Sequence, residues 1–373
     1  MTVKIQKYSE RDITEVTAFN ARLKKAGVSF QFPERHEPER FCPIDSGPIR
    51  QDYYLAIEDS STVHGGYFLK GQEFLIGGNT VDIGNYQLPL SEGTIDKRYN
   101  IVGLQMLTDA LKRQPLLYAL GMGGTERPLP MMLAAMGWRL QAVPFFFCVV
   151  HPSVFLRQSS YLRRHGVMRL LCDISAATGL GWLGIKSIQA SRRKKPSRMG
   201  SYHTTIVDQF EGLANRMWSS CRDQYSFASV RNDTVLDTLY PPDDERFIRL
   251  IVKNSDDVAI GWAVMLDTQM SDHKQFGNMR VGSIVDCWAA PELADTVIVA
   301  ATDYLEVRGV DIIVSNQSHP WWCSAMASAG FLEGPSNFAL ATSPKLTERI
   351  AAVDTKFDRV HTNRGDGDGP INL

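Results

Sequence analysis

Two stretches of the chain share one pattern of apolar and polar positions. Residues 116–138, LLYALGMGGTERPLPMMLAAMGW, and residues 311–331, DIIVSNQSHPWWCSAMASAGF, each pass from an apolar strand-length run through a polar or Gly-rich turn into a short helix rich in Ala and Met. Each helix should stop at its Gly-aromatic pair, Gly137-Trp138 or Gly330-Phe331, because glycine most easily takes the left-handed backbone that closes a helix. The two glycines stand 193 positions apart, about half the chain, which points to an internal repeat at domain scale.

The flanking elements repeat as well. In the first half the pattern predicts a strand at 3–8, a helix at 12–26, and strands at 53–58, 65–70, 73–76 and 81–90, with Gly71-Gln72 and Gly77-Gly78-Asn79 as hairpin turns. A helix over 99–113 then runs to Pro115, which forces an exit into the strand 116–120, and strands within 139–150 close the half. The second half offers a strand at 204–207, a helix at 210–221, a loop at 225–245, and strands at 247–253, 258–267 and 280–288. A helix at 292–308, a strand at 311–315 and a closing strand at 337–342 complete it. Domains are therefore expected at 1–150 and 202–345, joined by a connector at 151–201 and followed by an arm at 346–373.

Composition narrows the class of protein. With 373 residues, 44% hydrophobic and 22% charged, the chain can bury two cores. A net charge of −1 gives no global field to attract nucleic acid, so no DNA partner is expected. The six cysteines form no CxxC pair and sit mostly in apolar segments, as reduced structural thiols would, and no metal site is read from them. The charged N-terminus lacks the apolar core of a signal peptide, and a cytoplasmic location is expected. The apolar region 129–150 is interrupted by Pro130, Gly137, Arg139, Gln141 and Pro144, so a helix turning into a strand explains it better than a membrane span. Within the connector, the apolar residues of 161–187 lie between Arg163-Arg164 and the run Arg192-Arg193-Lys194-Lys195. The preferred reading is a packing element with a solvated basic tail; the alternative is a peripheral membrane contact.

The order of a long strand feeding a helix, then strand, helix ending in Gly-aromatic, and strand resembles the acyl-CoA N-acyltransferase superfamily of the general N-acetyltransferase (GNAT) type, here in tandem. The resemblance implies an α/β (α+β) chain of two GNAT-like domains, each a mixed, mostly antiparallel sheet flanked by helices. In that family the long strand splays from its neighbour, and the motif [QR]xxGx[GA] at the following helix cradles the donor pyrophosphate. Arg98-Tyr99-Asn100-Ile101-Val102-Gly103 matches it by halves: Arg98 and Gly103 are in register, and Ile101 stands where the first glycine belongs. Residues 291–296 keep none of it, so the resemblance places acetyl-CoA or another acyl-CoA in the first domain, held by Arg98, Asn100 and Gly103, with no metal. The pattern also resembles the Fem-type aminoacyl transferases, which pair two such domains and would make tRNA the partner. A third reading is a non-catalytic ligand-binding or scaffold protein.

Amide-forming acyl transfer needs the amine deprotonated and the thioester carbonyl polarised. The resemblance implies a carboxylate on or near the long strand as base, and Glu92 and Asp286 stand there, Asp286 alone inside the apolar run VGSIVDCW. His319 is a third catalytic candidate. Asn316, Gln317, Ser318 and, in the first half, Glu126 occupy the polar turns suited to binding an acceptor, a small-molecule or sugar-derived amine. Trp321-Trp322 either floors a sugar-binding cleft or packs the core. In the tail, Asp366 and Asp368 either approach the cleft on an ordered arm or belong to a disordered end.

Overall fold

The computed structural model describes residues 3–38, 47–59, 61–160, 166–178, 180–193 and 201–367. The chain forms two compact units, Met1–Gln141 with Ala339–Thr355 and Ala142–Phe338 with Lys356–Leu373. Toward the first unit it runs β1 (Lys4–Lys7), α1 (Ile13–Lys25), β2 (Ile49–Glu58), β3 (Thr62–Ile76), β4 (Asn79–Ser91), α2 (Val102–Arg113), β5 (Leu117–Leu120), α3 (Pro128–Ala135) and β6 (Arg139–Ala142). Period-2 alternation sets the layers. Tyr53, Leu55 and Ile57 of β2 face Val16, Phe19 and Leu23 of α1, while Tyr54 and Ala56 between them share a core with Met106, Leu107 and Ala110 of α2.

One expected turn is absent. Gly71-Gln72 lies inside β3, paired with Arg50 and Ile49 on one side and with Gly84 and Ile83 on the other. A Cβ on Gly71 would sit 3.0 Å from the Arg50 guanidinium, so the glycine serves a close approach within the sheet. Gly77 and Gly78, both at positive φ, do make the β3–β4 hairpin turn.

The second unit contains β7 (Phe145–Val149), α4 (Pro152–Gln158), α5 (Gly166–Thr178), α6 (Leu180–Arg192), β8 (Tyr202–Val207), α7 (Leu213–Cys221), β9 (Phe227–Ser229), α8 (Asp233–Leu239), β10 (Ile248–Asn254), β11 (Ala259–Gln269), β12 (Arg280–Ala289), α9 (Ala294–Val307), β13 (Ile312–Asn316), α10 (Pro320–Ser328) and β14 (Leu332–Gly334). The stretch 225–245, expected as a loop, thus holds a strand and a helix; Asn232 caps the helix by accepting from Val235 N at 2.9 Å. Finally β15 (Ala339–Thr342) and α11 (Pro344–Ala351) return to the first unit.

The sheets have the same order, β1-β2-β3-β4-β5-β15-β6 and β8-β10-β11-β12-β13-β7-β14. Each has a parallel pair at the corresponding place, β4 with β5 and β12 with β13, reached through antiparallel neighbours. Where the sequence suggested contiguous domains at 1–150 and 202–345, one strand crosses each way. β7 pairs antiparallel with β13, and β15 pairs antiparallel with β5. All four residues of β15 are buried, and Ser343 Oγ fixes its end, accepting from Leu117 N and donating to Pro115 O. Gly137 and Gly330 close α3 and α10 at φ +79° and +91°, as the repeat implied. Among the described residues no helix is long and apolar enough to cross a membrane.

Candidate functional site

In the first unit β4 pairs with β5 at Gly84–Leu117 and Asn85–Tyr118, then runs on to Ser91 paired with β3 alone of its two neighbours. The cause is local. Pro89 cannot donate to a ladder and disfavours the helical region for Leu88, which sits at φ +41° where the β3–β4 register slips. Such a bulge bends and twists a strand, turning it out of the sheet. The β4–β5 register ends at Asn85–Tyr118, so β4 parts from β5 there.

Glu92 follows β4 and is buried. Arg22 Nε of α1 donates to its Oε1 at 2.7 Å, and His64 Nδ1 of β3 lies 2.6 Å from its Oε2. The His64 ring stacks on Tyr99 at 4.0 Å between centroids, and its Nε2 is 3.3 Å from Glu58. Burial pushes the Glu92 carboxyl up, but the hydrogen bonds and charges of Arg22 and His64 outweigh it and hold the group below its usual range. Gly93 is needed here, since a Cβ would meet Tyr99 O at 2.5 Å.

Beyond Gly93 the loop carries the half-matched motif. Asp96 caps the turn at Lys97–Tyr99 and pairs with the exposed Arg98 at 2.6 Å. Asn100 is exposed as well. Helix α2 then starts from Ile101 with no side-chain cap, so its first-turn N–H groups receive no side-chain acceptor from the N-cap. A Cβ on Gly103 would meet nothing nearer than Met132 Sδ at 3.9 Å, so packing does not demand the glycine. Glu126 lies exposed in the turn before α3.

The second unit repeats the parting. β12 pairs with β13 from Val281 to Ile284, and a bulge at Val285 against β11 precedes Asp286. The carboxylate is fully enclosed. It accepts from Tyr240 Oη at 2.7 Å, Asn363 Nδ2 at 2.8 Å and Cys287 N at 2.9 Å, and Arg231 Nε lies 2.8 Å away. Arg231 Nη2 also donates to Asp366 at 2.7 Å, and Ser229 Oγ bonds the same carboxylate. Burial pushes the Asp286 carboxyl up against the pull of Arg231, while Arg231, Ser229 and the Asn363 backbone hold that of Asp366 down. A Cβ on Gly365 would lie 2.3 Å from Tyr240 Oη and 2.8 Å from Asp286, so the arm packs bare backbone against the network.

The arm also occupies the polar turn. Ser318 Oγ donates to Val360 O and accepts from Thr362 N, and Gln317 forms a bridge with Asn363. Gln317 Nε2 bonds Ser315 and Cys287, and Asn316 Nδ2 bonds Pro144 O. Three of the four expected acceptor-binding residues, Asn316, Gln317 and Ser318, are thus engaged inside the unit. His319 caps α10 through Trp321 N and borders a cavity of about 600 Å³ whose wall includes Glu292, Trp321, Asp358 and Arg359. The tandem tryptophans divide, Trp321 half exposed at this cavity and Trp322 in the core with its Nε1 donating to Tyr225 Oη at 3.0 Å. The tail is ordered through Asp366, whereas Asp368 and Cys42 lie outside the described residues.

Sequence reading found Glu92 and Asp286 but missed Arg22, His64 and Tyr99 beside the one, and Arg231, Tyr240 and Asn363 beside the other. The half-motif alone marked Tyr99 as part of the loop. Among the described residues no group of three or more His, Cys, Asp or Glu side chains is placed to hold a metal. The thiols of Cys148, Cys221 and Cys323 are pushed up to about 12 by burial, far from nucleophilic.

Two like-ordered sheets, each parting at a parallel pair and flanked by helices, define the tandem GNAT-type N-acyltransferase fold. The chain is similar over 93% of its length to 73% of a probable N-acyltransferase from Enterococcus faecalis, with 11% identity and a TM-score of 0.54. It is likewise similar over 92% of its length to 78% of the N-myristoyltransferase of Saccharomyces cerevisiae, solved with bound myristoyl-CoA, with 6% identity and a TM-score of 0.51. A glucosamine N-acetyltransferase region of a fungal multi-domain β-N-acetylglucosaminidase matches 91% of the chain over 38% of its own, with 11% identity and a TM-score of 0.53. At these identities the likeness is one of fold. No family model matches the chain, and no curated protein matches it in sequence.

Proposed function

We propose that the chain is an N-acyltransferase that moves an acyl group from an acyl-CoA to an amine of a small molecule or sugar precursor, with the donor in the first unit. The observation that supports this most is the parted edge of β4 leading to the uncapped, glycine-bearing start of α2 with Arg98 beside it. The stretch of β4 beyond its pairing with β5 suits the amides of the pantetheine arm. The positive end of α2, with Lys97, Arg98 and Asn100, suits the pyrophosphate, and Gly103 lets it approach. In the reaction the amine nitrogen attacks the thioester carbonyl, the C–S bond breaks, the amine proton passes to a base and the thiolate leaves as CoA thiol after protonation.

Of the base candidates Glu92 is favoured over Asp286. Its carboxylate is held ionised at the end of the parted strand, with Arg22 and His64 fixing its position, whereas Asp286 is enclosed by the arm. Within the second unit, the cavity that His319 borders suits a separate polar ligand: Glu292 and Asp358 complement a cationic amine, and the Trp321 indole offers a face to a sugar ring. Calorimetric titration of acetyl-CoA and longer acyl-CoA into the wild type and Arg98→Ala tests the donor assignment. Binding should weaken about tenfold in the variant, as for loss of a charged hydrogen-bond donor. Absence of binding to any acyl-CoA would overturn the reading.

A further inference from the structure

The connector between the two halves is a helical hairpin that leaves apolar surface outside. Leu156, Cys172, Ala176 and Ile185 hold α4, α5 and α6 together, and Gly181 permits the contact, since a Cβ there would lie 2.3 Å from Leu156 Cδ1. On the outer side Leu171 and Ile174 of α5 are 52% and 48% exposed, three positions apart on one face, and Trp182, Leu183 and Ile188 of α6 are 49%, 55% and 50% exposed. Five large apolar side chains on two short helices exceed what a solvated connector needs.

Charge separates this region from the remainder of the protein. Residues 157–200 contain ten Arg and Lys and a single acid, Asp173, out of chain totals of 40 basic and 41 acidic residues. The rest of the chain therefore carries 30 basic against 40 acidic groups. Arg193 is pinned by Asp303 and Glu306, while Arg157 and Arg192 are exposed. From exposed Leu, Ile and Trp, with Arg157 and Arg192 exposed on the same helical segment, in a stretch of sequence whose net charge is +9, we propose that the α5–α6 hairpin docks the protein on an anionic lipid surface.

The physics favours that occupant over others. Apolar side chains enter the headgroup and acyl boundary while Lys and Arg meet anionic headgroups, and Trp prefers that interface. A second copy would bring two strongly basic faces together across a two-fold axis, which is repulsive. Nucleic acid would use the charges but leave Leu171, Ile174 and Leu183 without purpose.

Co-sedimentation of the full chain with phosphatidylcholine vesicles, with and without phosphatidylglycerol, tests the proposal. Binding is expected only with the anionic lipid, and it should weaken as salt is raised. Leu171→Ser with Ile174→Ser should lower it roughly tenfold, as should Arg157→Ser with Arg192→Ser, with the thermal midpoint unchanged since these four side chains are exposed. Equal binding to neutral vesicles, or none to either, overturns the proposal. So does tRNA binding that survives the Leu171→Ser, Ile174→Ser change while vesicle binding is absent.

Discussion

The two units make the same opening in their sheets and fill it differently. In the first, β4 leaves β5 after Asn85 and leads to a loop carrying Lys97 and Arg98 and to an uncapped helix start. In the second, β12 leaves β13 after Ile284, and residues 360–366 of the arm enter, closing Asp286 into a network with Arg231, Tyr240, Asn363 and Asp366. The second residue of the following helix is Gly103 in one case and Asp295 in the other, which accepts from Thr296 N at 2.8 Å. A repeated frame thus supplies two potential donor sites, and the residues at the helix start and in the arm decide what each can hold. The same parallel pair opens beside a glycine-bearing helix start in one unit and onto internal structure in the other.

The largest expected effect lies in the sealed opening. Asp286→Ala removes one of two carboxylates around a buried guanidinium and also strands Tyr240 and Asn363, so it should cost about 3–5 kcal/mol. Thermal unfolding would show this as a midpoint roughly 10 °C lower. Asp286→Asn keeps the shape and most of the hydrogen bonds and should cost less. If both variants melt with the wild type while acyl transfer is abolished, the view of Asp286 as internal structure fails and its catalytic reading returns.

Acid should act on the same unit. His361 is buried against Trp322 and Trp288, with Nε2 3.2 Å from Cys287 O, and burial together with the neighbouring His319 pushes it from 6.5 down to about 3. Below pH 6.5 the unfolded chain takes up a proton that the folded chain refuses, so stability falls as pH drops toward 3 and is restored above 6.5. The slope from this group approaches about 1.4 kcal/mol per pH unit. Asp366, held low by Arg231, adds a further loss only at the acid end, as pH falls through its depressed value. Denaturant titrations from pH 7 to 4 should show a shallower decline in His361→Phe; an unchanged slope would remove His361 as the cause.

Much of this contrast is written locally in the chain, and some is not. The repeat was legible because each copy ends its helix at a glycine that adopts positive φ, and because the apolar periods of the long strands are strong. The exchange of β7 and β15 was hidden, since FFFCV and ALAT announce strands without saying which sheet receives them. Asp286 stood out as a lone carboxylate in an apolar run, but its partners Tyr240 and Asn363 lie 46 and 77 positions away on segments read as loop and arm. His64 lies 28 positions from Glu92 on another strand, so register rather than spacing brings them together. Gly71 misled because a glycine at a close approach and a glycine in a turn look alike until the neighbouring strand is placed.

The smallest change sharpens the comparison most. Gly103→Asp copies into the first unit the residue that the second carries at the same helix position. An acid in the first turn favours the helix itself by about 0.3–1 kcal/mol, replaces a glycine with a better helix former, and meets no steric obstacle, since only Met132 Sδ lies within 4 Å of the new Cβ. The variant should therefore melt no lower than the wild type. Its carboxylate would nevertheless face the position proposed for the donor pyrophosphate, opposing its charge and competing for the same N–H groups, so acyl-CoA affinity should fall at least tenfold. The reciprocal Asp295→Gly should gain no acyl-CoA binding, because the arm still fills the opening beside β12. Unaltered acyl-CoA titration of Gly103→Asp would show that the start of α2 does not hold the donor, whatever the two openings share in shape.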